Sequence, residues 1–312
     1  MMKLIAPDYY EDFVCIAGAC RHSCCIGWEI DIDGDTLALY REVGGSFGER
    51  LCAGIEERPE GACFRLGADG RCPFLNGDGL CDVILRLGEE ALSQICTDHP
   101  RFCAFFGDRT ELGLGLCCEE AARFILSRRE KTSLTVLDDD GGGEALSEEE
   151  RLFLEKRERI FALAQDRGRS ISERMQNMLN EVQCVLPQKS LAGWIDVFLS
   201  MEQMDGAWGT LLERARALGG TLSSVLPGEW ETAWEQLLCY FVYRHACDPA
   251  RDIGEAVLFS VLSVSVIRSL FACLYGQGGA DLGSLTELCR LYSSEIEYSE
   301  ENTEKLNAFF HR

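Results

Sequence analysis

Positive charge is scarce in this chain: 30 lysines and arginines stand against 52 aspartates and glutamates over 312 residues, a formal charge of −22. A surface of that sign repels phosphate backbones and has few counterions to displace, which excludes nucleic acid as a partner. The deficit is spread along the chain, with 13 basic and 23 acidic residues in 1–130 and 17 and 29 in 131–312, so no acidic tail accounts for it. Acidity of this kind keeps a protein soluble and attracts cationic partners, a lysine-bearing protein among them. Histidine is scarcer still. Four in the whole chain argue against a metal site dominated by imidazole.

Long hydrophobic runs are missing as well. The segment Met1 to Asp8 has one lysine and no apolar core before Glu11 and Asp12 follow, which is not the pattern of a secretory signal and points to the cytoplasm. The most apolar stretch, Ala256 to Ile267, is 12 residues long and ends at Arg268. Spanning a bilayer takes roughly 20 residues, so this stretch reads as a buried helix and no transmembrane segment is expected. No internal repeat is evident, and no doubly wound α/β pattern appears. The segment Glu111-Leu112-Gly113-Leu114-Gly115-Leu116-Cys117 mimics a glycine-rich nucleotide loop, but it lacks a preceding apolar strand and its third glycine is a cysteine, so it reads as a strand.

Cysteine is what the chain has in abundance, 17 in all. A reducing cytosol keeps thiols free of disulfides, so these residues require another use. Twelve of them (15, 20, 24, 25, 52, 63, 72, 81, 96, 103, 117 and 118) precede residue 119, and five are scattered beyond it. Composition thus divides the chain into a glycine- and cysteine-rich metal-binding domain over 1–130, a linker over 131–146 around Asp138-Asp139-Asp140-Gly141-Gly142-Gly143-Glu144, and an α-helical domain over 147–312. The expected fold is mostly α, with short strands and short helices in an irregular N-terminal domain held by metal more than by a large core.

The C-terminal part carries clear helix signals. Ser147 with Glu150 and Ser170 with Glu173 are capping boxes. Ile171, Met175, Met178 and Val182 recur at helical spacing, as do Trp230, Trp234, Leu237 and Phe241, and both stripes predict core-facing helices. Five to seven helices are expected there. Cys239, Cys247, Cys273 and Cys289 lie within apolar helical pattern and read as small hydrophobes.

The N-terminal cysteines read as chemistry. Cys15, Cys20, Cys24 and Cys25 fall within eleven residues around Gly18, whose small neighbours let the backbone wrap closely. The Asn76-Gly77 and Asp78-Gly79 dipeptides predict a turn that brings Cys72 and Cys81 together. Cys96 closes a helical pattern over 87–95, His99-Pro100 stops it, and Cys117-Cys118 completes the array. Thiolates favour zinc, copper(I) or iron–sulfur clusters, and spacing alone leaves zinc and iron–sulfur open. The C-x3-C-x2-C arrangement of radical SAM enzymes is absent, because Cys20 and Cys24 are followed by glycine at position 27.

The run Tyr9-Tyr10-Glu11-Asp12-Phe13-x-Cys15-x4-Cys20-x3-Cys24-Cys25-x-Gly27-Trp28-x-Ile30-x-Ile32-Asp33 resembles the flagellin lysine N-methylase family, itself within a wider group of cysteine-rich zinc- or iron-chelating domains. The similarity continues through Cys72-Pro73-Phe74-Leu75-Asn76, Gly79-Leu80-Cys81, Leu87-Gly88-Glu89-Glu90, Cys96 with Pro100-Arg101, and Cys118 to Arg123. The resemblance implies transfer of methyl from S-adenosylmethionine to lysine ε-amines of flagellin, or of another lysine-bearing protein, and an oxygen-sensitive 4Fe–4S cluster, zinc being the alternative. Carried residue by residue, the ligands it implies are Cys15, Cys20, Cys24, Cys25, Cys72, Cys81, Cys96 and Cys118. Eight exceed the four that one cluster needs, so some are structural or a second metal is present. His99 stands where the family pattern has an aromatic residue. Trp28, Tyr9 and Tyr10 are candidates for a cation–π surface or for core packing. No general base is named. The competing function is a non-enzymatic zinc- or iron–sulfur-binding redox or structural protein.

Overall fold

Local signals shape most elements of this computed structural model, which describes residues 3–59, 61–219, 228–276 and 278–310. Its strands are β1 (Lys3–Pro7), β2 (Asp31–Ile32), β3 (Ile55–Arg58), β4 (Gly61–Phe64), β5 (Arg101–Phe106), β6 (Arg109–Leu114) and β7 (Leu134–Asp138). Five α-helices precede residue 130: α1 (Gly34–Glu42), α2 (Gly45–Gly54), α3 (Asp82–Leu87), α4 (Gln94–Asp98) and α5 (Glu119–Ser127). Eight more follow among the described residues, one above the expected range: α6 (Glu148–Ala164), α7 (Ile171–Glu181), α8 (Leu191–Leu199), α9 (Gly206–Ala217), α10 (Glu231–His245), α11 (Ile253–Tyr275), α12 (Leu282–Tyr292) and α13 (Glu300–Asn307). At 53% helix the fold is mostly α, as the composition and helical stripes suggest.

Both capping boxes form. Ser147 Oγ accepts from the Glu150 N–H and Ser170 Oγ from the Glu173 N–H, while each glutamate reaches back to its serine's N–H, satisfying donors that a helix start leaves orphaned. The stripes are core: Ile171, Met175 and Met178 of α7 and Trp234, Leu237 and Phe241 of α10 are buried. Helix α11 holds the apolar stretch and extends it to 23 residues, long and apolar enough by composition to cross a membrane, yet 78% of its most apolar window is buried within the protein's own packing. Glu111–Cys117 contributes β6 and not a nucleotide loop.

The chain divides into two compact units. The larger comprises 1–13, 102–117 and 121–312, and the smaller 14–101 with 118–120. Sequence composition sets the boundary at 130, but strand pairing cuts across it. In the larger unit β5, β6, β1 and β7 form one sheet in that order, β1 lying parallel to β6 and antiparallel to β7. Strand β7 lies inside the expected linker, with Pro7 opposite Leu134 and Ala6 opposite Thr135, so only its end and the exposed glycines after Asp138 connect without pairing.

The smaller unit has a three-stranded antiparallel sheet in the order β2-β4-β3. Where a domain held by metal more than by a large core was expected, it carries an apolar core of its own, in which Tyr40, Leu51, Phe74 and Val83 are almost wholly buried and the Phe64 and Phe74 rings meet at 4.8 Å. Burial of such rings gives independent stability. The pattern over 87–95 is broken, because Gly88 at φ +98° ends α3 and a 3-10 turn over Glu89–Ala91 precedes α4. Cys96 therefore sits inside α4, which ends before His99.

Candidate metal centre

Four cysteines share the rim of the smaller unit's core. Cys72 is buried within it, and Cys25, Cys81 and Cys96 pack against it half-buried. Two loops bring Cys25 and Cys72 together. The Gly27 N–H donates to Gly70 O at 2.9 Å, Ile26 and Arg71 form an antiparallel bridge, and the Cys72 N–H donates to Cys25 O at 2.8 Å. Gly27 and Gly70 make these turns at φ +82° and +71°, where a side chain would be strained. The expected turn then delivers Cys81. Asn76 Oδ1 accepts from the N–H groups of Asp78 and Leu80, and Leu75 bridges Cys81, which stands at the start of α3. Gly18 has a different role from the one its neighbours suggest. A Cβ there would lie 2.8 Å from Asp78 O, so glycine lets this turn pass, not a metal.

The thiols feel one another. Burial pushes Cys72 up to about 12, and the charges of Cys25, Cys81 and Cys96 push the same way. Burial likewise raises Cys81 and Cys96, each within electrostatic reach of Cys25. Cys25 is the exception: a hydrogen bond from Cys24, helped by Ser23 and the Arg71 charge, holds its thiol below the usual value. That shift favours the thiolate, the form that binds metal. The hydrogen bond to Cys25 in turn raises the Cys24 thiol, which also senses Cys15 and Cys96.

The other sequence candidates are placed differently. Cys15 is exposed, its Sγ accepting from the Ala17 N–H at 3.4 Å. Cys20 donates to His22 O at 3.3 Å, lies 3.7 Å from Glu119 Oε2 and neighbours Cys118, so Cys20 and Cys118 form a separate pair. Glu119 is held by Arg21 through an ion pair of 2.7 Å. Among the described residues no three cysteine, histidine or carboxylate side chains close into a ready single-ion shell. The Cys25, Cys72, Cys81 and Cys96 set fits a thiolate-held metal by donor chemistry and by shared neighbourhood.

Burial brings His99 down to about 4, so it stands neutral where an aromatic residue was expected. Tyr9 is buried beneath the Arg128 guanidinium, 4.8 Å from its ring centre, which occupies the face a substrate cation would need. Sequence reasoning missed the polar group of the larger unit in which Glu297 meets Tyr240, Arg244 and His245. The signal available was the run Tyr243-Arg244-His245 at the end of an otherwise apolar helix.

This is a mostly α-helical protein with a separate thiol-rich unit. Residues 224–312 match the model of the FliB lysine N-methylase C-terminal domain. The chain is 29% identical over 135 residues to the lysine-N-methylases of Salmonella choleraesuis (strain SC-B67) and Salmonella typhimurium (strain LT2), which is 41% of this chain and 34% of each relative. It is also 29% identical over 127 residues to the flagellar biosynthetic protein FliU of Salmonella muenchen, 39% of this chain and 75% of that protein. The match thus covers about a third of the length of the two lysine-N-methylases. No solved structure matches. The family that the cysteine pattern resembles is therefore the one that this chain matches in part, over residues 224–312 and at 29% identity.

Proposed function

We propose that this protein is a protein-lysine N-methyltransferase that acts on flagellin with S-adenosylmethionine as donor and depends on a 4Fe–4S cluster held by Cys25, Cys72, Cys81 and Cys96. The observation that carries the reading is the gathering of those four thiols on one core rim, in a chain whose relatives are named lysine-N-methylase. When bound, a cluster supplies electron-transfer or Lewis-acid chemistry and cross-links the loops that hold it. The chain's own part is legible. The 24–27 and 70–72 loops hold Cys25 against Cys72, Cys24, Ser23 and Arg71 favour the Cys25 thiolate, and the aromatic core behind them limits water.

Zinc is the alternative, since four thiolates serve one zinc as well as one cluster. Methyl transfer replaces one N–H of the lysine ε-amine with N–CH3 and leaves S-adenosylhomocysteine and a proton. The test is incubation of anaerobically purified protein with labelled S-adenosylmethionine and flagellin from the same cell. Label on flagellin lysines is expected, and its complete absence with metal-loaded protein would overturn the reading.

A further inference from the structure

The segment that matches the lysine N-methylase C-terminal domain contains a carboxylate with no exposed side-chain surface, Glu297. It closes a π-helical turn over Ser293–Glu297 that continues α12, a wider winding that recurs at functional sites. Tyr240, Arg244 and His245 meet it from α10, where spacings of four and five positions put them on one side of the helix. The carboxylate accepts from the Tyr240 hydroxyl at 3.0 and 3.1 Å, from Arg244 Nε at 3.0 Å and from His245 Nε2 at 2.8 Å. The Leu116 N–H donates to the Tyr240 oxygen at 3.2 Å, which leaves the phenol proton for Glu297.

These bonds fix the tautomer of His245. Burial works against a charge on Glu297, but the Arg244 guanidinium and the His245 bond outweigh it and hold the carboxyl below its usual value. An ionised carboxylate only accepts, so Nε2 carries the imidazole proton and Nδ1 of the neutral ring bears the lone pair. Among the described residues no hydrogen bond engages Nδ1, and 19% of the side chain is exposed. The ring is held by Phe241 at 6.1 Å and Phe259 at 4.1 Å between centroids. The charged groups that face it are Glu297 from the π turn, Arg244 from its own helix and Arg251 from the connection to α11, while α11 presents Phe259. Burial keeps the imidazole below its usual value despite Glu297, so the ring is neutral at pH 7.

A histidine oriented by a carboxylate, with its second nitrogen open, is the arrangement of a general base. A lysine ε-amine needs one, because its usual value of about 10.4 leaves almost all of it as ammonium at pH 7, with no electron pair to attack a methyl group. We propose that His245 is the general base for the lysine substrate and that Glu297 is the positioning residue that holds its tautomer. The proposal rests on the methyltransferase reading and names a residue for it. A lysine N–H bond breaks as the Nδ1–H bond forms, and the nitrogen keeps the electron pair. The amine then takes the sulfonium methyl as the S–C bond breaks. The imidazolium, stabilised by Glu297, gives its proton to water at its exposed edge.

The test uses the full metal-loaded chain, labelled S-adenosylmethionine and flagellin from the same cell. In His245→Gln the amide nitrogen keeps a donor for Glu297 and offers no basic nitrogen, so kcat is expected to fall about 100-fold with KM little changed. His245→Ala is expected to lose kcat to the same degree, and added imidazole to restore part of it. Thermal midpoint and metal content check that both variants fold. Nitrogen-15 spectra of the unaltered chain read the ring without turnover and are expected to show His245 protonated at Nε2 and bare at Nδ1. The opposite tautomer overturns the proposal. Methyl transfer with kcat unchanged in His245→Gln, or a loss in folded His245→Ala that imidazole does not restore, overturns it too and leaves the methyltransferase reading standing. No transfer by the unaltered protein overturns both.

Discussion

The backbone N–H of Cys72 donates to the carbonyl of Cys25 at 2.8 Å, so two cysteines 47 positions apart are fixed to each other by main chain and not by their sulfurs. Such a clamp is preorganised, and it divides the eight cysteines of the motif into those on the clamp's core and those away from it. Cys25→Ser or Cys72→Ser is expected to release most of the bound metal, whereas Cys118→Ser, which alters the separate pair with Cys20, leaves it. Metal per chain in anaerobically purified variants measures this. Equal loss from all three would show that the clamp does not define the site.

Asn76 closes the turn that delivers Cys81, its side-chain oxygen taking two backbone N–H groups. Asn76→Ala leaves both without that partner and is expected to destabilise the smaller unit by about 1–2 kcal/mol. Urea unfolding followed through Trp28, the tryptophan within 14–101, reads the effect. An unchanged midpoint would mean that water replaces the side chain at no cost.

Features encoded within a few residues were legible in the sequence. The Ser147 and Ser170 caps, the Asn76–Gly79 turn and the α7 and α10 stripes each rest on spacings of two to eleven positions, where local chemistry decides. What escaped depends on distant pairing. That Pro7 lies opposite Leu134 moves 1–13 and β7 into the larger unit, and no local signal announces it. Cys15, Cys20, Cys24 and Cys25 are neighbours in sequence, yet only Cys25 lies on the core rim, because Gly27 turns the chain toward Gly70 there. The alternation Glu29-Ile30-Asp31-Ile32-Asp33 around β2 puts Ile30 and Ile32 into the core and the acids on the other face, a short-range pattern of the same legible kind.

In the larger unit Arg157 and Glu111 are joined at 2.6 Å with both side chains almost fully buried, and Arg157 also donates to Ala246 O at 2.9 Å. Removing one partner strands a buried charge, so Arg157→Ala is expected to cost about 3–5 kcal/mol. Arg157→Met combined with Glu111→Leu restores most of it, since the desolvation cost of both ions disappears together. Denaturation midpoints of the three proteins decide the point. A paired variant as weak as Arg157→Ala would assign the loss to packing.

Stability of the larger unit is expected to fall in acid. His245 Nε2 lies 2.8 Å from Glu297 Oε1, and burial lowers the imidazole below its usual value despite that bond. Burial pushes Glu297 up, but the Arg244 charge and the His245 bond outweigh it and hold the carboxylate below its usual value. Both shifts have the same sign in linkage: each group binds its proton more readily when unfolded. Their stabilisation is complete above the unfolded histidine value of about 6.5 and is lost as pH falls, first through the imidazole and then through the carboxylate. Urea midpoints between pH 8 and pH 4 follow it, and His245→Gln removes the upper part of the slope. A midpoint that rises on acidification would contradict the assignment.

The measurement that bears most directly on the account is iron, sulfide and zinc analysis of the full chain purified without oxygen. The four-thiol site predicts about four iron and four sulfide per chain, lost together when Cys25, Cys72, Cys81 and Cys96 are all replaced by serine. Stoichiometric zinc without iron, or iron and sulfide retained in that variant, would contradict it.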